Sequence, residues 1–298
     1  MSESGNSYSL INTDALGNLG CLLIEKISQA VGWIATHNTP NRIAIQNYIE
    51  DIQNSDLDPL IKAVKISHAK RDIKDYCNQS KIVFDAISQL NSTADPSKID
   101  DDWLALFIDK ARLVNSESLQ IIWSRVLAQE CNEAGCIPKR LLNILSFISP
   151  EQANAFRILC QFTIYIIDED TPYPFMPIIT SFEFDESNIY FRAGLSYFDL
   201  LELDSLGLLR YSTNYHNLQF DQFPSTPMIS IGKKQYKILN PSNSSELCLG
   251  NVLLTTDGRA LCSIIDRTPP EGFLEECRRF WKAQNNISIH EVCVAPTE

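Results

Sequence analysis

The first ten residues are polar and carry no periodicity, and a pattern begins at Asp14. Apolar residues recur at Leu16, Leu19, Leu23, Ile27, Val31 and Ile34, three or four apart, which predicts one buried face of a helix. Asn12 or Thr13 supplies its cap, and Thr39-Pro40 ends it. A second helix is predicted over Arg42 to Ile52. Asp56 to Leu90 reads as one long helix or two, striped by Ile61, Val64, Ala69, Ile73, Tyr76, Val83 and Ile87. Asp56 caps it, and Pro59 is tolerated in the first turn. Asn91 to Pro96 is a linker.

The stretch 97–165 is the most helical. Trp103, Phe107, Ala111 and Val114 form one stripe, and Leu119, Ile122, Trp123, Val126 and Leu127 a second, capped by Asn115 or Ser116. Gly135 supplies a left-handed stop, and Pro138 opens a helix over Lys139 to Phe147. Ser149-Pro150-Glu151-Gln152 is a capping box with proline at the first helical position, starting a helix with Ala153, Phe156, Leu159, Cys160 and Thr163 on one side. Helices this closely spaced pack as antiparallel neighbours.

At about residue 168 the pattern changes. Nine of the 14 prolines lie at or after Pro172. β-like runs appear at Ile178–Phe184, Ile189–Arg192, Leu208–Ser212, Met228–Ile231, Tyr236–Leu239 and Asn251–Thr255. A helix capped by Ser196, with Asp199 at its third position and Gly207 as its stop, interrupts them. A short helix follows Thr256-Asp257-Gly258, and a last one runs from Glu271 to about Asn285 with Phe273, Cys277 and Phe280 or Trp281 inward. The predicted class is mainly α with a smaller α+β part: an N-terminal helical bundle followed by a winged-helix-like module. The predicted divisions are 1–95, a helical region; 96–167, a helical bundle; and 168–298, the winged-helix-like module with its C-terminal helix.

Charge changes what such a module is expected to do. The chain carries 25 basic and 37 acidic residues, a formal −12, and only 11 glycines. That surface is a poor match to phosphate backbones or anionic membranes, and so few glycines leave little material for nucleotide loops. The helix Tyr197-Phe198-Asp199-Leu200-Leu201-Glu202-Leu203-Asp204 stands where a winged helix reads DNA, yet it has three acids and no base. A protein-contacting use is therefore favoured over DNA reading. The basic candidates are few: Lys62, Lys65, Lys70, Arg71 and Lys74 in the long helix, and Lys233, Lys234 and Lys237 on the expected wing. Either group can touch phosphate, but a solvated helix face and an ordinary turn account for them as well.

Catalytic candidates are weaker. The histidines, His37, His68, His216 and His290, are far apart, and no zinc, Walker or nucleophile-elbow spacing occurs. The nine cysteines include no Cys-x-x-Cys, so buried free thiols of a reducing compartment are expected. Cys131 and Cys136 lack a second ligand pair nearby. Asp100-Asp101-Asp102 suits a helix start, whereas Asp168-Glu169-Asp170 follows a helix and suits a loop or a basic partner. No cofactor is expected, no stretch is apolar enough for a membrane span, and no basic signal segment opens the chain, so a cytoplasmic place is expected. Trp103, Phe107, Trp123, Leu127 and Phe156 are the expected structural anchors.

Several blocks carry a family resemblance. They are Leu23 to Gly32, Asp101 to Arg112, Asn115 to Glu130, Pro138 to Leu145, Ser149 to Ala153, Gly194-Leu195-Ser196, Leu206 to Leu209 and Leu254 to Arg259. This order resembles an uncharacterised bacterial family of unknown function, related in pattern to the abortive-infection alpha proteins. The resemblance implies a bacterial origin and a role in defence against phage, and it supplies no catalytic residues. The expectation is thus a non-enzymatic interaction protein whose partner is itself or another defence component. The alternatives are a nucleic-acid-binding regulator using Lys62–Lys74 and the wing, and a metal-dependent enzyme of unrecognised type.

Overall fold

The structure, a computed structural model, describes residues 17–36, 42–167, 173–176, 188–223 and 227–292. The chain forms two compact units, residues 1–147 and 148–298. Its class is mixed α+β, with helices throughout and a seven-stranded antiparallel sheet in the second unit. The expected caps at Asn12 and Thr13, the Thr39-Pro40 stop, His37, Asp168-Glu169-Asp170 and the strand at 178–184 lie outside the described residues.

The first unit holds α1 (Gly17–Val31), α2 (Arg42–Asn54), α3 (Pro59–Ile87), α4 (Asp101–Ala111), α5 (Glu117–Asn132) and α6 (Lys139–Phe147). Leu23, Ile24 and Ile27 bury the inner face of α1 against α4, and Lys26 pairs with Asp101 at 2.6 Å. The predicted α1 stripe is too long. Gly32, at φ +73°, ends the helix in the left-handed region, leaving Val31 and Ile34 exposed while Trp33 turns inward to stack on Tyr76. α3 is a single helix, and its cap is Asp58 rather than Asp56: the Asp58 carboxylate accepts from Leu60 N at 2.8 Å. Trp103 stacks on Phe107, which meets Trp123 with ring centres 5.2 Å apart. These three and Leu127 are buried. Asp100 caps α4 through Trp103 N and holds Lys139 at 2.7 Å.

The turn between α5 and α6 is built on a buried carboxylate. Glu130 Oε1 accepts from Gly135 N at 2.6 Å, and its Oε2 accepts from Ile137 N at 2.9 Å. Burial raises the pKa of this carboxyl against those hydrogen bonds. Cys131 and Cys136 beside it are pushed up to about 12 by burial, so both stay protonated thiols.

The second unit contains α7 (Pro150–Cys160), β1 (Ile164–Ile167), β2 (Tyr173–Met176), α8 (Ile189–Arg192), α9 (Tyr197–Ser205), β3 (Leu209–Gln219), β4 (Met228–Ile231), β5 (Lys234–Leu239), β6 (Glu246–Leu254), α10 (Thr256–Ser263), α11 (Phe273–Asn285) and β7 (Ser288–Val292). The sheet order is β3-β6-β2-β1-β4-β5-β7. Strands begin sooner than predicted, with β1 at Ile164 directly after α7. The run Ile189–Arg192 is a single helical turn rather than a strand. Asn188 caps it, and Tyr190 is buried against Phe162 with ring centres 4.7 Å apart. Phe156 is buried on α7, and Phe273, Cys277, Phe280 and Trp281 on α11.

Candidate interaction surface

A backbone clamp sets the position of α9. The capping box of Ser196 and Asp199 starts the helix, and Gly207 at φ +82° stops it. Thr255 then grips the stop from the far side: its Oγ1 donates to Gly207 O at 2.6 Å, and its N donates to Leu208 O at 3.1 Å. Gly258 lies against the same segment so closely that a Cβ there would fall 1.8 Å from Leu208 O. Two short strings 48 residues apart, Leu206-Gly207-Leu208 and Thr255-Thr256-Asp257-Gly258, thus form one joint between the α9 end and the α10 start.

Leu200 and Leu203 bury the inner face of α9, and Gln152 of α7 donates to Glu202 at 3.1 Å. The outer face is apolar and acidic. Phe198 is 61% exposed and Leu201 40%, with Phe191 of α8 exposed beside them in sequence order. Tyr197 turns its ring edge to Tyr211 of β3 at 5.5 Å. Asp204 holds Arg210 at 2.8 Å and accepts from Tyr211 N. α9 itself carries no Lys or Arg.

The other predicted site residues lie elsewhere. Lys65, Lys70, Arg71 and Lys74 are exposed along the first half of α3, and Lys62 donates from Nζ to Gln53 O at 2.9 Å. Lys233 and Lys234 stand at the β4–β5 turn, where Lys234 pairs with Glu291 at 3.0 Å, and Lys237 is exposed on β5 opposite His290. The turn lines a cleft of about 710 Å³ together with Arg267, Pro269 and Glu271. The Arg267 guanidinium sits 4.2 Å over the Tyr165 ring, and the Tyr165 hydroxyl lies 3.8 Å from the buried Cys262 thiol. The neighbouring Cys160 thiol lowers the pKa of Cys262 despite burial, helped by Tyr165, Arg267 and Thr163. No sequence signal marked this pair, since its members are 102 positions apart and each looks like a core cysteine.

His216 is partly buried in irregular β3, its Nε2 has no partner, and burial lowers its pKa. His68 and His290 are exposed on separate elements. Among the described residues, no three His, Cys, Asp or Glu side chains gather as a metal site. No described helix is long and apolar enough to cross a membrane.

A mixed α+β chain with an acidic, apolar helix face is the class that the geometry defines. The chain belongs to a family described as a protein of unknown function, DUF2806, whose model matches residues 67–278. No curated protein and no solved structure matches it.

Proposed function

We propose that the second unit is a winged-helix-like module that contacts a protein through α9 rather than DNA. The helix and strand order α7, β2, α8, α9, β3, β6 supports the module, as does the placing of β6 between β3 and β2. β1 and the β4–β5 hairpin are insertions within that order. The observation that carries the contact reading is the outer face of α9, with Phe198 and Leu201 exposed beside Glu202 and no base on the helix. Phosphate would meet repulsion there, whereas an apolar protein surface with a basic rim would cover the two side chains and match the acid.

The test is purification of the tagged chain from its host, beside a Phe198→Asp/Leu201→Asp variant. A partner held by the parent and lost by the variant supports the reading. Equal retention by both overturns it, and so does duplex binding that weakens steeply with salt and depends on α9. The same proposal sets the contact in anti-phage defence, as the resemblance to abortive-infection alpha proteins implies. Deleting the gene should then lower phage resistance, and unchanged plating across a phage panel would remove that setting.

A further inference from the structure

Among the described residues from Ala44 to Cys77, none is buried. This stretch is a helical hairpin, α2 and the first half of α3, joined by the turn at residues 55–58. Two helices with no buried residue between them have little to hold them, because helix stability in proteins comes chiefly from packing an amphipathic face. Moreover, α3 has apolar residues on two sides. Ile66, Ala69 and Ile73 are partly covered, whereas Leu60, Ile61 and Val64 are 73%, 47% and 48% exposed. At about 100° per residue the exposed three point roughly away from the covered three. Tyr48 of α2 is exposed as well. The hairpin also contains a receptacle, a groove of about 440 Å³ lined by Ile45, Gln46, Ile49, Glu50, Gln53 and Lys70.

Charge separates the two helices. α2 and the turn carry Glu50, Asp51, Asp56 and Asp58 against Arg42. The first half of α3 carries Lys62, Lys65, Lys70, Arg71 and Lys74 against Asp72 and Asp75. Two basic segments facing each other would repel, but α2 of one copy laid over α3 of another matches acid to base in both places. We propose that the α2–α3 hairpin is a self-association surface that seats a second copy of this chain, with α2 of each copy over the first half of α3 of the other. A nucleic acid or an anionic membrane would meet the acids of α2 beside the lysines of α3, so the second copy fits this surface better. The contact is independent of the α9 surface.

Sedimentation velocity of the full chain across a concentration series tests it. The parent should be a dimer. Leu60→Asp/Val64→Asp should be a monomer with unchanged near-ultraviolet circular dichroism. Lys65→Glu/Lys70→Glu/Lys74→Glu should weaken the dimer at least about tenfold, or about 1.4 kcal/mol, and adding Glu50→Lys/Asp51→Lys should restore it. Phe198→Asp/Leu201→Asp should leave the dimer intact, which separates failure of this contact from failure of the α9 reading. A parent chain that stays monomeric throughout, or a dimer that survives Leu60→Asp/Val64→Asp, overturns the proposal. A monomer that instead binds nucleic acid through the α3 lysines also overturns it.

Discussion

α3 is one continuous helix with two different lives. From Asn78 onward it is embedded: Asn78, Ser80, Ile82, Val83 and Ala86 are buried, and α5 packs along it. Asn78 donates to Arg112 O at 2.8 Å and accepts from Gln120 at 3.2 Å, so even its polar groups are satisfied by neighbours. Before Cys77 the same helix shows lysines, an arginine and bare aliphatic side chains to solvent. The two halves share backbone geometry and differ in side-chain pattern and in what covers them. An uninterrupted helix is therefore no evidence of a uniform environment, and an apolar position within it is no evidence of core.

The largest expected effect is on the embedded half. Trp123→Ala should remove a fully buried ring from α5 and cost about 3–5 kcal/mol in denaturant unfolding, whereas Leu60→Ala should leave the unfolding of the monomer essentially unchanged. Next comes Glu130→Gln, whose amide oxygen can accept from only one of the two backbone N–H donors, Gly135 N or the buried Ile137 N, at about 1–3 kcal/mol. Its penalty should depend on pH. Burial raises the folded-state pKa of Glu130 above the ordinary 4.5, so the folded chain holds that proton more tightly than the unfolded chain. This part of the stability is present below 4.5 and fades as pH climbs through the folded-state value. The gap between parent and Glu130→Gln should therefore narrow with rising pH, and a widening gap would refute the assignment.

Asn78→Ala should cost about 1–3 kcal/mol, because Gln120 loses a partner in a buried setting. The smallest effect lies on the exposed half. Asp58→Ala removes a cap of about 1 kcal/mol, and it should speed amide exchange in the first turns of α3 while leaving that of Asn78–Ile87 unchanged.

Local signals were the legible ones. The capping boxes at Ser149 and Ser196 and the helix stop at Gly207 are contained within a few residues, so they could be read from spacing alone. The apolar stripe of α3 does not match its buried face, because Ile61 and Val64 fall on the opposite side from Ile73. Ile189–Arg192 has the β-branched and aromatic content of a strand, and tertiary burial of Tyr190 beneath a single helical turn overrode that preference. β7 carries no clear sequence signal, because it is a short edge strand whose inward positions, Ile287 just before it and Ile289 within it, make too brief an alternation. The α9 face was legible as charge, since its acids stand in the string, but its exposed Phe198 and Leu201 required the fold. The joint of Thr255 and Gly258 with Gly207-Leu208, and the pairing of Cys160 with Cys262, are contacts between distant segments. No periodicity reports them.

Hydrogen exchange along α3 in the full chain, measured at low and high protein concentration, tests the contrast between its halves most directly. Protection of Pro59–Cys77 should rise with concentration as second copies cover the hairpin, while that of Asn78–Ile87 should stay high and constant. Equal, concentration-independent protection in both halves would contradict the account.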